Sequence, residues 1–168
     1  DKNLFMLLNA FNKLQKNTTK KCILTIVGDG MQKGELENYA NMNSIRNLFF
    51  TGFKTDIEEY YSNADFFILP STYEAFGQVI IESMAVGTPV VGFTTICGKT
   101  LTAVDEIIEN KKTGIIIKKF SSDDLMLGMK QAMELHNNMG KYLEMRTACS
   151  NTAKIEYTWE LFVYKMLH

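Results

Sequence analysis

The sequence has few cysteines, no excess of charge of either sign and no long apolar run. Its three cysteines, Cys22, Cys97 and Cys149, are odd in number and far apart. They fit neither a disulfide framework nor the close spacing of a zinc site, and a reducing compartment suits them best. The formal net charge is −1 and no basic stripe is visible, so nucleic acid is not an expected partner. No apolar run approaches the length of a membrane span, and no signal peptide is visible.

What is present is the composition of an ordinary globular domain. The chain has 168 residues, of which 46% are hydrophobic and 22% charged, which fits one domain or a large half of a two-domain enzyme. Apolar runs typical of buried strands alternate with helical patterns along the chain. This alternation predicts an α/β fold, a Rossmann-like doubly wound parallel sheet covered on both faces. The predicted strands are 22–27, 47–50, 65–70, 88–92 and 114–119, and the predicted helices are 2–16, 31–42, 55–63, 77–86, 102–109 and 121–136, with two more in 139–168. Thr55-Asp56 is predicted to cap the third of these helices, and Ser121 to Asp124 the sixth.

Ligands of such sheets bind beyond the carboxyl ends of the strands, which directs attention to residues 28–30, 52–54 and 70–78. The first of these loops belongs to VGDGMQKG, a glycine-rich turn between a strand and a helix. Its spacing is one residue too long for a dinucleotide fingerprint, and the acidic residue expected about twenty positions later is missing. A plain strand-to-helix turn is therefore favoured over a nicotinamide site.

The third loop leads into EAFGQVIIE, residues 74–82, which places a glutamate at each end of an apolar stretch. A helix that begins near Gly77 directs free backbone N–H groups and a positive dipole end toward the cleft, which makes an anion site. Glu82 is predicted one turn later, on the same face as Val79 and Val86. An ionised carboxylate accepts hydrogen bonds from adjacent hydroxyls, such as those of a ribose. The alternative stays open that Glu82 is solvated at the helix edge and Glu74 only favours the helix start.

The wider stretch PSTYEAFGQVIIESMAVGTPVV closely resembles the Glu-x7-Glu signature of retaining, GT-B-fold glycosyltransferases. IVGDG, FTGF, NADFFILPS and the YTWE around Trp159 stand in the order that this family has. The resemblance implies that residues 1–168 form the donor-binding domain, one half of a GT-B fold, with 139–168 as its C-terminal helices. It also implies that the N-terminal acceptor domain, an interior strand and a diphosphate-binding arginine are absent from this sequence.

The resemblance assigns roles by position. It implies that Glu82 binds the nucleotide ribose, that Glu74 lies near the donor sugar as a catalytic residue, and that Lys2 neutralises the donor diphosphate. The other implied donor-binding positions are Ala75, Phe76 and Gly77 at the sugar hydroxyls, Gln78 and Val79 toward the phosphates, Phe53 and Lys54 at the base, and Gly28, Asp29 and Gly30 in a loop on that side.

The implied activity is transfer of a hexose or related sugar from a nucleoside diphosphate to an acceptor hydroxyl with retention of configuration, in polysaccharide or glycolipid biosynthesis. The resemblance implies no cofactor and no metal. It implies a cytoplasmic location, leaves open a peripheral position of the full-length protein at the inner membrane face, and implies contact with a membrane only through the full-length enzyme or a lipid acceptor. The isolated domain is expected to be inactive. The alternatives are a sugar-nucleotide epimerase, a nicotinamide-dependent enzyme and a non-catalytic nucleotide-sugar module.

Overall fold

A computed structural model describes residues 2–158 of the chain as seven helices and seven strands. The helices are α1 (Leu4–Lys16), α2 (Lys33–Met42), α3 (Ile57–Asn63), α4 (Gln78–Ala85), α5 (Val104–Ile107), α6 (Ser122–His136) and α7 (Met139–Glu156). The strands are β1 (Leu24–Val27), β2 (Leu48–Gly52), β3 (Phe67–Leu69), β4 (Tyr73–Glu74), β5 (Val90–Phe93), β6 (Leu101–Thr102) and β7 (Gly114–Ile117).

Every ladder between these strands is parallel, which confirms the predicted α/β fold. Strands β3, β5 and β7 pair in that order and are called the central sheet, while β1 and β2 form the outer pair. The two-residue strands β4 and β6 pair with each other beyond the central sheet. Among residues 2–158, no ladder joins β1 to β3.

The central sheet is covered on both faces because its side chains alternate along each strand. On β5, Val91 and Phe93 belong to the apolar cluster that α1 and α6 form on one face. Val90 belongs to the opposite cluster, which α4, α5 and α7 form on the other face. All three side chains are fully buried, so removing any of them from water stabilises the fold by roughly 2 kcal/mol.

Local sequence signals explain the ends of some helices better than others. Ser121 precedes α6 and its hydroxyl accepts a hydrogen bond from the Asp124 N–H, as its predicted capping role requires. The predicted cap of α3 is wrong in its chemistry: Asp56 occupies the N-cap position, but its side chain accepts no hydrogen bond. Within 139–168 the structure shows one long helix, α7, and the second predicted segment and Trp159 lie outside the described residues.

Candidate functional site

The loops singled out by the sequence follow the carboxyl ends of β1, β2 and β3. The strands within each ladder are parallel, so the loops of a ladder leave from the same edge. These loops, residues 28–30, 52–54 and 70–78, are called the rim. The rim carries large side chains that are well exposed: Phe76 is 85% exposed and Phe53 75%. An exposed aromatic on a loop over the end of a parallel strand is available to a ligand.

Gly77 is the N-cap of helix α4, and its backbone conformation and close neighbours favour glycine there. Its φ is 64°, in the left-handed region, and an added Cβ would lie 2.4 Å from Ile107 Cδ1 and 3.2 Å from Ala103 Cβ. The sharp turn leaves the main-chain N–H groups of residues 75–79 without a hydrogen-bond acceptor anywhere in residues 2–158. Five N–H groups without a protein acceptor in the described range, in the first turn of α4 and just before it, can receive an anion.

Glu74 lies directly before these donors and is fixed by the short ladder of β4 with β6. Its carbonyl accepts from the Ala103 N–H at 2.9 Å, and its side chain is only 16% exposed. The Lys2 Nζ lies 3.0 Å from Glu74 Oε2, although 72 positions separate the two residues. The Asn3 side-chain amide donates to the Pro70 carbonyl at 3.3 Å, which holds the start of α1 against the same loop. The structure therefore brings Lys2 and Glu74 together beside the free N–H groups.

Glu82 lies on the exposed side of α4. The buried side chains of this helix are Ile80, Ser83 and Met84, and Glu82 is exposed. Of the two positions that the sequence left open for Glu82, the structure shows the exposed one at the helix edge, because α4 packs through a face that excludes this residue. Its carboxylate instead accepts from the Tyr61 hydroxyl on α3, with 3.4 Å between Oη and Oε2. The ribose role of Glu82 stays a prediction.

Tyr61 was not identified from the sequence, because nothing in its local pattern separates it from a packing tyrosine. Burial raises the pKa of its phenol, and the negative charges of Glu82 and then Glu74 raise it further. The phenol therefore stays protonated at neutral pH and acts as a hydrogen-bond donor.

The loops after β1 and β2 form a second group of candidate residues. The Gly28 N–H donates to the Gly52 carbonyl at 2.8 Å, so this bond ties residues 28–30 to residues 52–54. Asp29 uses a carboxylate oxygen to accept from the Gly30 N–H at 2.9 Å. Lys54, which follows Phe53, is half-buried. Within residues 2–158, no hydrogen bond or ion pair joins this group to Lys2 or Glu74.

Lys33 is a cation beside this second group that the sequence analysis did not identify. The Lys33 Nζ lies 3.9 Å from the position that a Cβ on Gly52 would take. Because Lys33 is the first residue of α2, its charge could have been predicted near the turn, but its reach toward β2 depends on the tertiary structure. Among the described residues it has no ion-pair partner.

Two further structural findings concern the same described range. No group of three His, Cys, Asp or Glu side chains in residues 2–158 is placed to hold a metal ion. No helix in that range combines the length and the apolar character needed to cross a membrane.

Comparison with known proteins gives a consistent family. Residues 1–155 match the family described as glycosyl transferases group 1. An uncharacterised glycosyltransferase of Haemophilus influenzae is 31% identical over 123 residues, which cover 73% of this chain and 33% of that protein. The structure of TarM from S. aureus superimposes with a TM-score of 0.84 at 23% identity, covering 99% of this chain and 32% of TarM. HepE of Anabaena, solved in complex with UDP, gives a TM-score of 0.75 at 22% identity, covering 90% and 40%.

The solved structures show the fold, which is that of a GT-B glycosyltransferase domain. The chain spans less than half the length of each of these relatives. The family match extends over nearly all of the described residues, including the rim that holds Lys2, Glu74 and the start of α4. The chain is therefore a member of the group 1 glycosyltransferases.

Proposed function

We propose that this chain binds the nucleoside-diphosphate sugar of a retaining glycosyltransferase and stabilises the diphosphate as it leaves. One observation carries the proposal: Lys2 and Glu74 meet beside five main-chain N–H groups that have no acceptor in residues 2–158. Free N–H groups and an ammonium suit a diphosphate, while a carboxylate suits sugar hydroxyls. The family membership and the UDP bound by HepE support this assignment.

In the proposed complex, different residues bind the phosphates, the sugar, the ribose and the base of the donor. The N–H groups of Gln78 and Val79 face the phosphates, and those of residues 75–77 face the sugar. Glu74 accepts from a sugar hydroxyl, and Glu82 accepts from the ribose hydroxyls. Residues 28–30, with Phe53 and Lys54, lie toward the base.

The chemistry requires stabilisation of an anion. The bond from the anomeric carbon to the phosphate oxygen breaks with its electron pair on that oxygen, and the acceptor hydroxyl oxygen bonds to the same carbon on the same face. The proton of the acceptor passes to the departing diphosphate. Lys2 and the helix N–H groups oppose the charge that develops on the leaving group. No cofactor and no metal enter this proposal.

The rest of the proposal concerns the whole protein. We infer transfer to a polysaccharide or glycolipid acceptor on the cytoplasmic side, with acceptor binding by a domain outside the 168 residues. The chain by itself is then inactive, since it contributes only the donor site. Incubation of the chain with nucleotide-sugars and glycan or lipid acceptors should give no product, and transfer under these conditions would contradict that part of the proposal.

The donor site is tested directly by calorimetry with UDP-, GDP- and ADP-sugars, which also identifies the base. Glu82→Gln should weaken binding of the preferred nucleoside diphosphate by about tenfold, because a charged acceptor of two hydroxyl groups is lost. The matched control is Glu134→Gln, an exposed glutamate on α6, and it should leave the affinity unchanged. An identical titration curve for the Glu82 variant would remove its ribose role.

A further inference from the structure

The carboxylate of Glu82 has one hydrogen-bond partner among the described residues, and it is Tyr61. The Tyr61 hydroxyl lies 3.4 Å from Glu82 Oε2, which is a long hydrogen bond between α3 and α4. No ion pair reaches Glu82 in residues 2–158, and the residue is otherwise exposed. An exposed glutamate samples many rotamers, so any ligand that needs its carboxylate in one orientation must oppose that freedom.

Tyr61 is itself held from two sides. Its ring meets the Phe67 ring edge-on, with centroids 5.2 Å apart and planes at 88°. Its carbonyl accepts from the Thr88 hydroxyl at 2.7 Å, and Thr88 is completely buried. The same carbonyl accepts from the Ala64 N–H at 3.1 Å. The hydroxyl of Tyr61 is therefore presented from a fixed ring at the edge of the central sheet.

The direction of the hydrogen bond follows from the groups present. A phenol has one proton to donate, and the carboxylate of Glu82 accepts it. That bond uses one lone pair of Oε2 and leaves Oε1 free, with further acceptor capacity on Oε2. Two acceptor sites on one fixed carboxylate match the two donors of a vicinal diol.

We propose that Tyr61 is a positioning residue, which orients the Glu82 carboxylate for the vicinal hydroxyls of the nucleoside ribose. This inference rests on the proposed donor function, and it adds a residue on a separate helix to the ribose site. Tyr61 touches no part of the donor in this arrangement. Its contribution appears only for ligands that carry both hydroxyls.

The test compares a nucleoside diphosphate with its 2′,3′-dideoxy form by calorimetry on the complete natural protein. UDP is the first probe, and GDP or ADP replaces it if the panel above shows tighter binding. Tyr61→Phe should weaken UDP binding by about threefold to tenfold, because the ring stays and only the orienting hydroxyl is lost. Binding of 2′,3′-dideoxy-UDP should change by less than about twofold, since that ligand makes no diol contact.

Two further variants make the result specific. Tyr60→Phe removes the hydroxyl of the neighbouring tyrosine, which makes no hydrogen bond within residues 2–158, and it should bind UDP as the wild type does. The double variant of Tyr61→Phe with Glu82→Gln should bind UDP no more weakly than Glu82→Gln alone. Non-additivity of this kind is expected when one residue acts through the other.

The outcomes separate the two proposals. Equal losses of UDP and dideoxy-UDP affinity in Tyr61→Phe would indicate a structural role and overturn the inference. A loss with Glu82→Gln but none with Tyr61→Phe would leave the donor site intact and remove Tyr61 from it. No effect of Glu82→Gln, or no binding of any of the three nucleoside diphosphates, would contradict the proposed ribose site and the inference with it.

Discussion

The central sheet and the outer pair both lead to the rim, but they are buried to very different extents. All four residues of β5 are buried, as are three of the four in β7, while the edge strand β3 has one buried residue of three, Leu69. In the outer pair only Leu24 of β1 is buried, and β2 has no buried residue. The loop with Glu74 and the start of α4 follows a strand of the central sheet, whereas residues 28–30 and 52–54 follow the outer pair.

This difference suggests that the central sheet and the outer pair hold different parts of the proposed donor. The groups near the reacting bond require fixed geometry, and they stand on the central sheet, whose strands β5 and β7 are almost completely buried. The base can be held by a part of the fold that opens more easily, because local stability falls where fewer apolar contacts are buried. The predictions below compare the two parts.

The largest difference should appear in the reactivity of the cysteines. Cys149 of α7 packs against the central sheet, is completely buried, and places its Sγ 3.0 Å from the Thr113 carbonyl. Burial raises the pKa of the Cys149 thiol to about 12. At pH 8 its thiolate should be roughly a thousandfold scarcer than that of a thiol with an ordinary pKa.

Cys97 is exposed, and Cys22 is half-buried just before β1. Labelling with a thiol reagent, followed by mass spectrometry of the peptides, should modify Cys97 first, then Cys22, and Cys149 only on global unfolding. Labelling of Cys149 as early as Cys22 would mean that the central sheet opens as readily as the outer pair.

A pair of glycine substitutions should show the next largest difference. At Gly114 of β7 an added Cβ would lie 2.4 Å from the Val90 carbonyl oxygen and 2.9 Å from Ile108 Cγ2. Since backbone cannot move aside cheaply, Gly114→Ala should lower the free energy of unfolding by about 3 kcal/mol. At Gly34 of α2 an added Cβ meets nothing within 4 Å, so Gly34→Ala should raise it by about 0.5–1 kcal/mol through helix propensity.

Urea denaturation of the two variants and the wild type measures both changes. Equal destabilisation by Gly114→Ala and Gly34→Ala would show that the close approach of β5 and β7 does not limit stability. If only Gly34→Ala lowered the free energy of unfolding, the packing would be tighter around the outer pair than in the central sheet, which is the opposite of what the structure indicates.

The sequence predicted the buried part of the molecule better than the rim. Apolar runs in residues 88–92 and 114–119 identify β5 and β7, because a strand buried on both faces tolerates few polar residues. The two-residue strands β4 and β6 were missed, since two residues have no period to detect. The capping serine of α6 was found because its hydrogen bond is local in sequence.

Features of the rim depend on contacts between distant segments. The resemblance led to both Lys2 and Glu74, but their ion pair joins residues 72 positions apart and has no local signal. The exposed position of Glu82 depends on which face of α4 packs, and the sequence of one helix with apolar residues on several sides did not decide it. Tyr61 could be found only after α3 and α4 were placed side by side.

The smallest effect on stability should come from the ion pair of Lys2 and Glu74, which joins α1 to the rim of the central sheet. The Lys2 side chain is 63% exposed, so solvent screens the pair and its loss should cost less than about 1 kcal/mol in the free energy of unfolding. Lys2→Met and Glu74→Gln should therefore unfold at nearly the same urea concentration as the wild type.

The same two variants should nevertheless act in opposite directions on diphosphate binding. Lys2→Met removes a positive charge from the proposed anion site, so it should weaken UDP binding by about tenfold. Glu74→Gln releases Lys2 from its partner and removes a negative charge that repels the diphosphate, so it should strengthen UDP binding by about twofold to threefold. Calorimetry at low and high salt measures both changes, and the gain should shrink as salt screens the charges. Equal weakening of UDP binding by both variants would mean that the intact ion pair is needed to bind UDP. That result would contradict the proposal that Lys2 binds the diphosphate while Glu74 binds the sugar.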